Sequence, residues 1–98
     1  MRFQIRLKAA GKEYLLQVQR VNITAVSEQF IISNQNDTQQ VIIQSNRPFF
    51  RNRNMKHRRP DYTVVSGNIR HKDVLDDAFH EIMMVLEPPR GFNAGGTD

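Results

Sequence analysis

The sequence predicts an α+β fold in which an antiparallel twisted sheet of four to five strands carries one C-terminal amphipathic helix on one face. Two observations support this class: apolar residues alternate at period two through the first two-thirds of the chain, and they recur every three or four residues near its end. The connections between the predicted strands are short, which favours antiparallel neighbours. We expect one domain over residues 1–87, followed by a flexible tail over 88–98.

The first two predicted strands form a hairpin. Phe3, Ile5 and Leu7 share one face of the first strand, and a short turn containing Gly11 returns the chain. In the second strand the apolar residues move from even to odd positions after Val18. Because a slip of one residue exchanges the two faces of a strand, we predict a β-bulge or a break near residues 19–20.

A second hairpin and a fifth strand are predicted from β-branched residues. The runs 30–33 and 40–44 flank turn residues at 34–38, and a further strand extends from about 61 to 66 and ends at Gly67. Residues 46–60 show no periodic pattern, so we predict a loop there, in which residues 49–51 could form a short edge strand. This stretch is called the basic segment below.

The helix is predicted over residues 72–86. Its apolar residues build a broad stripe that we expect to pack against the face of Phe3, Ile5 and Leu7, and Pro88 and Pro89 would end the helix. The stripe consists of Val74, Leu75, Ala78, Phe79, Ile82, Met83, Val85 and Leu86.

Charge is distributed unevenly along the chain. Residues 1–72 contain 13 basic and 4 acidic side chains, a formal +9, whereas residues 73–98 contain 1 basic and 6 acidic side chains, a formal −5. A basic body of this kind favours polyanionic partners. The expected partners are therefore DNA or RNA.

The basic segment is the predicted binding site. It has six cations and no carboxylate, and two adjacent aromatic rings that could stack on bases. The predicted nucleic-acid-binding residues are Arg47, Phe49, Phe50, Arg51, Arg53, Lys56, Arg58 and Arg59. Two alternatives remain open: a solvated loop whose phenylalanines close the core, and a loop that docks on an acidic protein surface.

Two further surfaces have an alternative interpretation. The polar face of the sheet, with Arg2, Arg6, Lys8, Gln17 and Gln19, is either an ordinary solvent face or an extension of the binding surface. The helix stripe is wide, so a homodimer that forms through the C-terminal helix is also expected as an alternative. In that alternative the chain is a homodimeric protein-interaction module whose basic segment docks on acidic residues.

Catalytic and metal sites are not predicted. His57, His71 and His80 are too widely spaced for a chelating helix pair, and Asp73, Asp76, Asp77 and Glu81 fit a solvated helix face. We expect no enzyme activity and no cofactor. Absence of cysteine fits a cytoplasmic protein, and the charged N-terminus indicates neither a signal peptide nor a membrane partner.

Two resemblances follow from particular residues. The elements Asn46-Arg47-Pro48 and Lys56-His57-Arg58, followed by a strand and a helix, resemble a small bacterial domain family of uncharacterised function over about half of the chain. The element order alone is similar to the PUR repeat, although no PUR sequence motif is matched. The PUR resemblance implies single-stranded nucleic-acid binding and pairing of repeats through the helix.

Overall fold

The structure, a computed structural model, describes residues 1–9, 11–55, 58–69 and 71–87. These residues form an open five-stranded antiparallel sheet with the strand order of the sequence, and one long helix covers one of its faces. The predicted α+β class is therefore confirmed, whereas the predicted tail at 88–98 lies outside the described residues. The strands are β1 (Arg2–Ala9), β2 (Lys12–Val21), β3 (Glu28–Asn34), β4 (Gln40–Ser45) and β5 (Tyr62–Gly67), and the helices are α1 (Arg47–Asn52) and α2 (Lys72–Leu86).

The core lies between the sheet and α2. In the strand register, Ile5 is opposite Leu16, Val18 is opposite Ile32, and Phe30 is opposite Ile43, so these apolar residues share the helix-facing side. The helix α2 has the bounds that its periodicity predicts, and it packs against β1 as expected. Its buried residues are Leu75, Ala78, Phe79 and Ile82.

The predicted bulge near residues 19–20 is wrong, because β2 continues without a register shift through Val21. Arg20 instead occupies an inward position opposite Phe30, where its Nε donates a hydrogen bond to Glu28 Oε1 at 2.7 Å. The sheet has its irregularity between β4 and β5, beside Ile42 and Ile43. An inward arginine, rather than a bulge, thus explains the change of apolar phase.

Gly67 ends β5 at a position that no other residue fits well. Its φ is +128°, and a Cβ there would overlap the carbonyl oxygen of Gln40 and the Cα of Val41. Asn68 follows and pairs with the same residue, since its N–H donates to Gln40 O and its Oδ1 accepts from Gln40 N. The end of β5 is therefore fixed tightly against the start of β4.

Residues 47–52 form the short helix α1 where we predicted a loop or an edge strand. Proline at the first turn of this helix favours helix initiation, because its φ is already helical and its missing N–H is not needed there. Six residues are fewer than two helical turns, so the sequence shows no period. The basic segment is thus partly helical, and the predicted strand at 49–51 is wrong.

Candidate nucleic-acid interface

The basic segment is closed at its base by a pair of residues. The N–H of Asn46 donates to Asp61 O at 3.2 Å, and the N–H of Asp61 donates to Asn46 Oδ1 at 2.7 Å. Pro48 of α1 is buried against the domain. The segment is therefore an excursion between β4 and β5 whose two ends are held together.

A buried ion-pair cluster holds α1 on the sheet. Glu28 is fully buried, and its carboxylate accepts hydrogen bonds from Arg47 Nε at 2.7 Å, from a terminal nitrogen of Arg47 at 2.8 Å, and from Arg20 Nε at 2.7 Å. Ser45 Oγ lies 3.4 Å from the carboxylate and accepts from the N–H of Arg47 at 3.0 Å. Burial of Glu28 without these partners would be very costly, so the carboxylate and Arg47 depend on each other.

The same cluster reaches the end of α2. The second terminal nitrogen of Arg47 donates to Glu87 Oε2 at 3.2 Å, and Arg51 Nε lies 3.3 Å from that oxygen. Glu87 follows the last residue of α2, so Arg47 connects β3, α1 and α2. The sequence reasoning missed Glu28, Arg20 and Glu87, and the change of apolar phase at Arg20 was the signal that could have indicated them.

Electrostatics within the cluster favour the ionised carboxylate. Burial alone would raise the pKa of Glu28, but the hydrogen bonds and charges of Arg47 and Arg20 outweigh it and hold that pKa below its ordinary value. The hydrogen bond to Glu28 raises the pKa of Arg47. Only 11% of the Arg47 side chain is exposed. Arg47 therefore supports the fold, and its guanidinium nitrogens already donate to Glu28 and Glu87.

Two phenylalanines and two arginines form a second arrangement on the segment. The rings of Phe49 and Phe50 meet edge to face with centroids 5.4 Å apart. The guanidinium carbon of Arg53 lies 4.0 Å from the centroid of Phe49, and that of Arg58 lies 5.8 Å from the centroid of Phe50. We call this set of four residues the arginine–phenylalanine ladder.

The remaining predicted residues divide into four groups. Arg53, Arg58 and Arg59 are exposed and form no ion pair with any carboxylate of the described residues. Arg51 is 45% exposed and is paired with Glu87. Lys56, like His57, lies outside the described residues. Phe49 and Phe50 are half-buried, so part of each side chain remains exposed.

The sheet face opposite α2 has the polar character that the alternation predicts. Arg2 is paired with Gln19 and Gln4 with Gln17 across β1 and β2, while Arg6 lies 4.0 Å from Glu13. No aromatic residue stands among these positions of the register. Ile31 and Ile42 are half-buried on this face in the adjacent strands. This face of the sheet differs from the basic segment, because its charged side chains are interspersed with glutamines and Arg6 lies near a carboxylate.

The acidic side of α2 bears hydrogen bonds within the domain. Tyr62 Oη donates to Asp76 Oδ1 at 2.6 Å, and Lys72 Nζ donates to Asp76 Oδ2 at 2.8 Å. The hydrogen bond from Lys72 and then that from Tyr62 lower the pKa of Asp76. The described part of the chain has no group of three His, Asp or Glu side chains that could hold a metal ion.

Apolar residues on α2 are partly exposed, namely Met84 at 40% and Val85 at 42% of their full accessibility. The predicted homodimer through α2 stays a prediction.

Within the described ranges, no helix is long and apolar enough to cross a membrane. Comparison of the chain with protein-family models, with curated proteins and with solved structures gives no match.

Proposed function

We propose that the protein binds nucleic acid, DNA or RNA, through phosphate contacts from Arg53, Arg58 and Arg59. The observation that carries the proposal is the arginine–phenylalanine ladder, in which two exposed guanidinium groups lie over half-buried rings. A contact with a ring favours one position of an arginine side chain before any ligand arrives, most of all for Arg53, whose guanidinium carbon lies 4.0 Å from the ring centroid. Less conformational entropy is then lost when a phosphate binds.

The geometry of a stacked guanidinium suits a phosphate ligand. A ring that covers the flat face of a guanidinium leaves its N–H groups, which lie in the guanidinium plane, available at the edge. Those N–H groups can form paired hydrogen bonds with phosphate oxygens. Arg53 and Arg58 occupy the two ends of the ladder, and Arg59 continues the charged surface along the chain. Each of these three cations can neutralise one phosphate of a nucleic-acid backbone.

The ion pairs among the described residues leave the charges of Arg53, Arg58 and Arg59 uncompensated. Glu87 forms ion pairs with Arg47 and Arg51, and Glu28 forms ion pairs with Arg47 and Arg20. Among the described cations of the basic segment, Arg47 and Arg51 are therefore paired with carboxylates, whereas Arg53, Arg58 and Arg59 are exposed and form no ion pair. This separation favours an interface for a polyanion over a uniformly solvated loop.

The experiment is fluorescence polarisation with labelled single-stranded DNA, single-stranded RNA and duplex DNA. The test variant carries Arg53→Glu, Arg58→Glu and Arg59→Glu. The matched control carries Arg2→Glu, Arg6→Glu and Lys8→Glu, which changes the net charge equally but on the opposite face of the sheet. Circular dichroism establishes that both variants are folded.

We expect the test variant to lose binding and the control to retain most of it. Equal losses in both variants would show that association depends on net charge or equally on the polar face of the sheet, and either result would contradict an interface confined to the basic segment. Retained affinity in the folded test variant would contradict the proposal directly. If the wild-type protein binds no nucleic acid but elutes as a salt-sensitive dimer, the alternative of a homodimeric interaction module would replace it.

A further inference from the structure

A groove lies beside the exposed arginines, between the chain that enters β5 and the outer side of α2. Its volume is about 430 Å³, which is within the range of small-molecule sites. Residues 59–62 form one wall, and residues of α2 and its C-terminal end form the other. Arg59 belongs both to this groove and to the candidate interface, so the two surfaces are continuous.

The interior of the groove suits a flat aromatic group. Tyr62 packs against Phe79 with ring centroids 5.0 Å apart, and both residues line the groove together with Pro60. Met83 and Met84 complete the apolar part, and Met84 is 40% exposed. Thioether side chains adapt their shape and make favourable contacts with aromatic rings. A nucleobase could therefore contact apolar surface on both sides of the groove.

Two of the three acidic residues that line the groove have hydrogen-bond donors or cations as partners. Asp76 accepts hydrogen bonds from Tyr62 and Lys72, and Glu87 is paired with Arg47 and Arg51. His80 also lines the groove. Asp61 differs, because its carboxylate forms no ion pair with a cation of the described residues, while its backbone is fixed by Asn46. A carboxylate without such a partner is an available acceptor for the exocyclic amino group of a base, as in contacts to cytosine N4.

We propose that the groove binds a nucleobase from a single strand whose phosphates contact Arg58 and Arg59, and that Asp61 accepts a hydrogen bond from the exocyclic amino group of that base. This inference rests on the proposed nucleic-acid binding. Bases in a duplex are stacked and paired, so only an unpaired strand can place one in a groove of this kind. The expected ligand is a single strand that contains cytosine, rather than a duplex or a sugar–phosphate chain.

The test compares an oligodeoxycytidine with an abasic strand of equal length, using wild-type protein, Asp61→Ala and Asp77→Ala. Asp77 is an exposed carboxylate of α2 that does not line the groove, so its variant matches the charge change. We expect the wild-type protein to bind oligodeoxycytidine roughly tenfold more tightly than the abasic strand, because one good base contact and its stacking contribute at least that factor.

The sign of the Asp61→Ala effect is decisive. Removal of a negative charge strengthens purely electrostatic binding, so Asp61→Ala should leave affinity for the abasic strand unchanged or higher. The same variant should weaken binding of oligodeoxycytidine roughly fivefold, because it loses the hydrogen bond to the base and keeps the stacking. Asp77→Ala should weaken neither. Equal affinity of the wild-type protein for both strands would overturn the groove while leaving phosphate binding intact. The same conclusion would follow if Asp61→Ala and Asp77→Ala raised the affinity for oligodeoxycytidine by the same factor. Absence of salt-dependent binding to either strand would overturn the proposed function and the groove together.

Discussion

Replacement of Arg47 by alanine should destabilise the domain strongly, although the sequence predicts Arg47 to be a nucleic-acid-binding residue of a loop. The change removes two hydrogen bonds to Glu28, at 2.7 and 2.8 Å, and one to Glu87 at 3.2 Å. Glu28 is fully buried and would keep Arg20 and Ser45 as its remaining partners. A buried charge that loses its main partner must be solvated or protonated, and both cost free energy.

The magnitude follows from the geometry. Loss of one partner from a buried ion pair costs about 3–5 kcal/mol. We expect the lower end, about 3 kcal/mol, because Arg20 remains 2.7 Å from Glu28. A domain of 98 residues has a total free energy of unfolding of roughly 5–15 kcal/mol. The variant should therefore lose a large fraction of its stability, with a decrease in Tm of about 12–24 °C.

Urea unfolding followed by circular dichroism measures this change, with Arg53→Ala as the matched control. Arg53 loses the same atoms at an exposed site whose contact is the Phe49 ring, so its cost should remain below about 1 kcal/mol. A loss below 1 kcal/mol in Arg47→Ala, or losses that are equal in the two variants, would refute the assignment of Arg47 to the fold.

Three further predictions concern the same cluster and the end of β5. Arg20→Ala should cost less than Arg47→Ala in urea unfolding, because it removes one hydrogen bond to Glu28 instead of two; a larger cost would contradict the geometry. The pKa of Glu28 is lowered in the folded state, so the unfolded state binds more protons in acid. The contribution of Glu28 to the free energy of unfolding is therefore complete above about pH 4.5 and declines as the pH falls through the folded pKa. The urea midpoint of Glu28→Gln should therefore fall less between pH 5 and pH 3 than that of the wild type, and parallel profiles would contradict the assignment. Gly67→Ala should lower the free energy of unfolding by more than about 2 kcal/mol, because the new Cβ would overlap the backbone of Gln40 and Val41. Gly11→Ala is the control: Gly11 has φ +76° and open space around it, so the change should cost only about 1 kcal/mol. Similar costs in the two variants would contradict the close approach of Gly67 to β4.

The architecture was predictable because its signals are local. Alternation in β1 and the stripe of α2 can be seen within windows of eight to fifteen residues, so the strands and the helix bounds agree with the structure. The short helix α1 was not predictable, since six residues show no period and its two phenylalanines are typical of strands. A bulge was expected at the wrong place because an inward arginine produces the same change of phase.

The candidate site was predictable as a region but not residue by residue. The sequence shows six cations between residues 46 and 60, and their composition gives no reason to treat Arg47 differently from Arg53. The difference arises from Glu28 and Glu87, which lie 19 and 40 residues away from Arg47 along the chain. Likewise, the groove beside Arg59 exists only because β5 and α2 come together in the fold.

The central claim, that the exposed arginines bind phosphates, is tested most directly by the salt dependence of binding. Wild-type protein and the variant with Arg53→Glu, Arg58→Glu and Arg59→Glu are titrated with labelled single-stranded DNA at salt concentrations from about 50 to 200 mM. Each neutralised phosphate of a single strand contributes roughly −0.7 to the slope of log affinity against log salt, so three arginines account for a slope of about −2. We predict that the wild type has a slope at least this steep and that the folded variant loses this part together with most of its affinity. An unchanged slope in the variant, or a wild-type slope near zero, would contradict the claim.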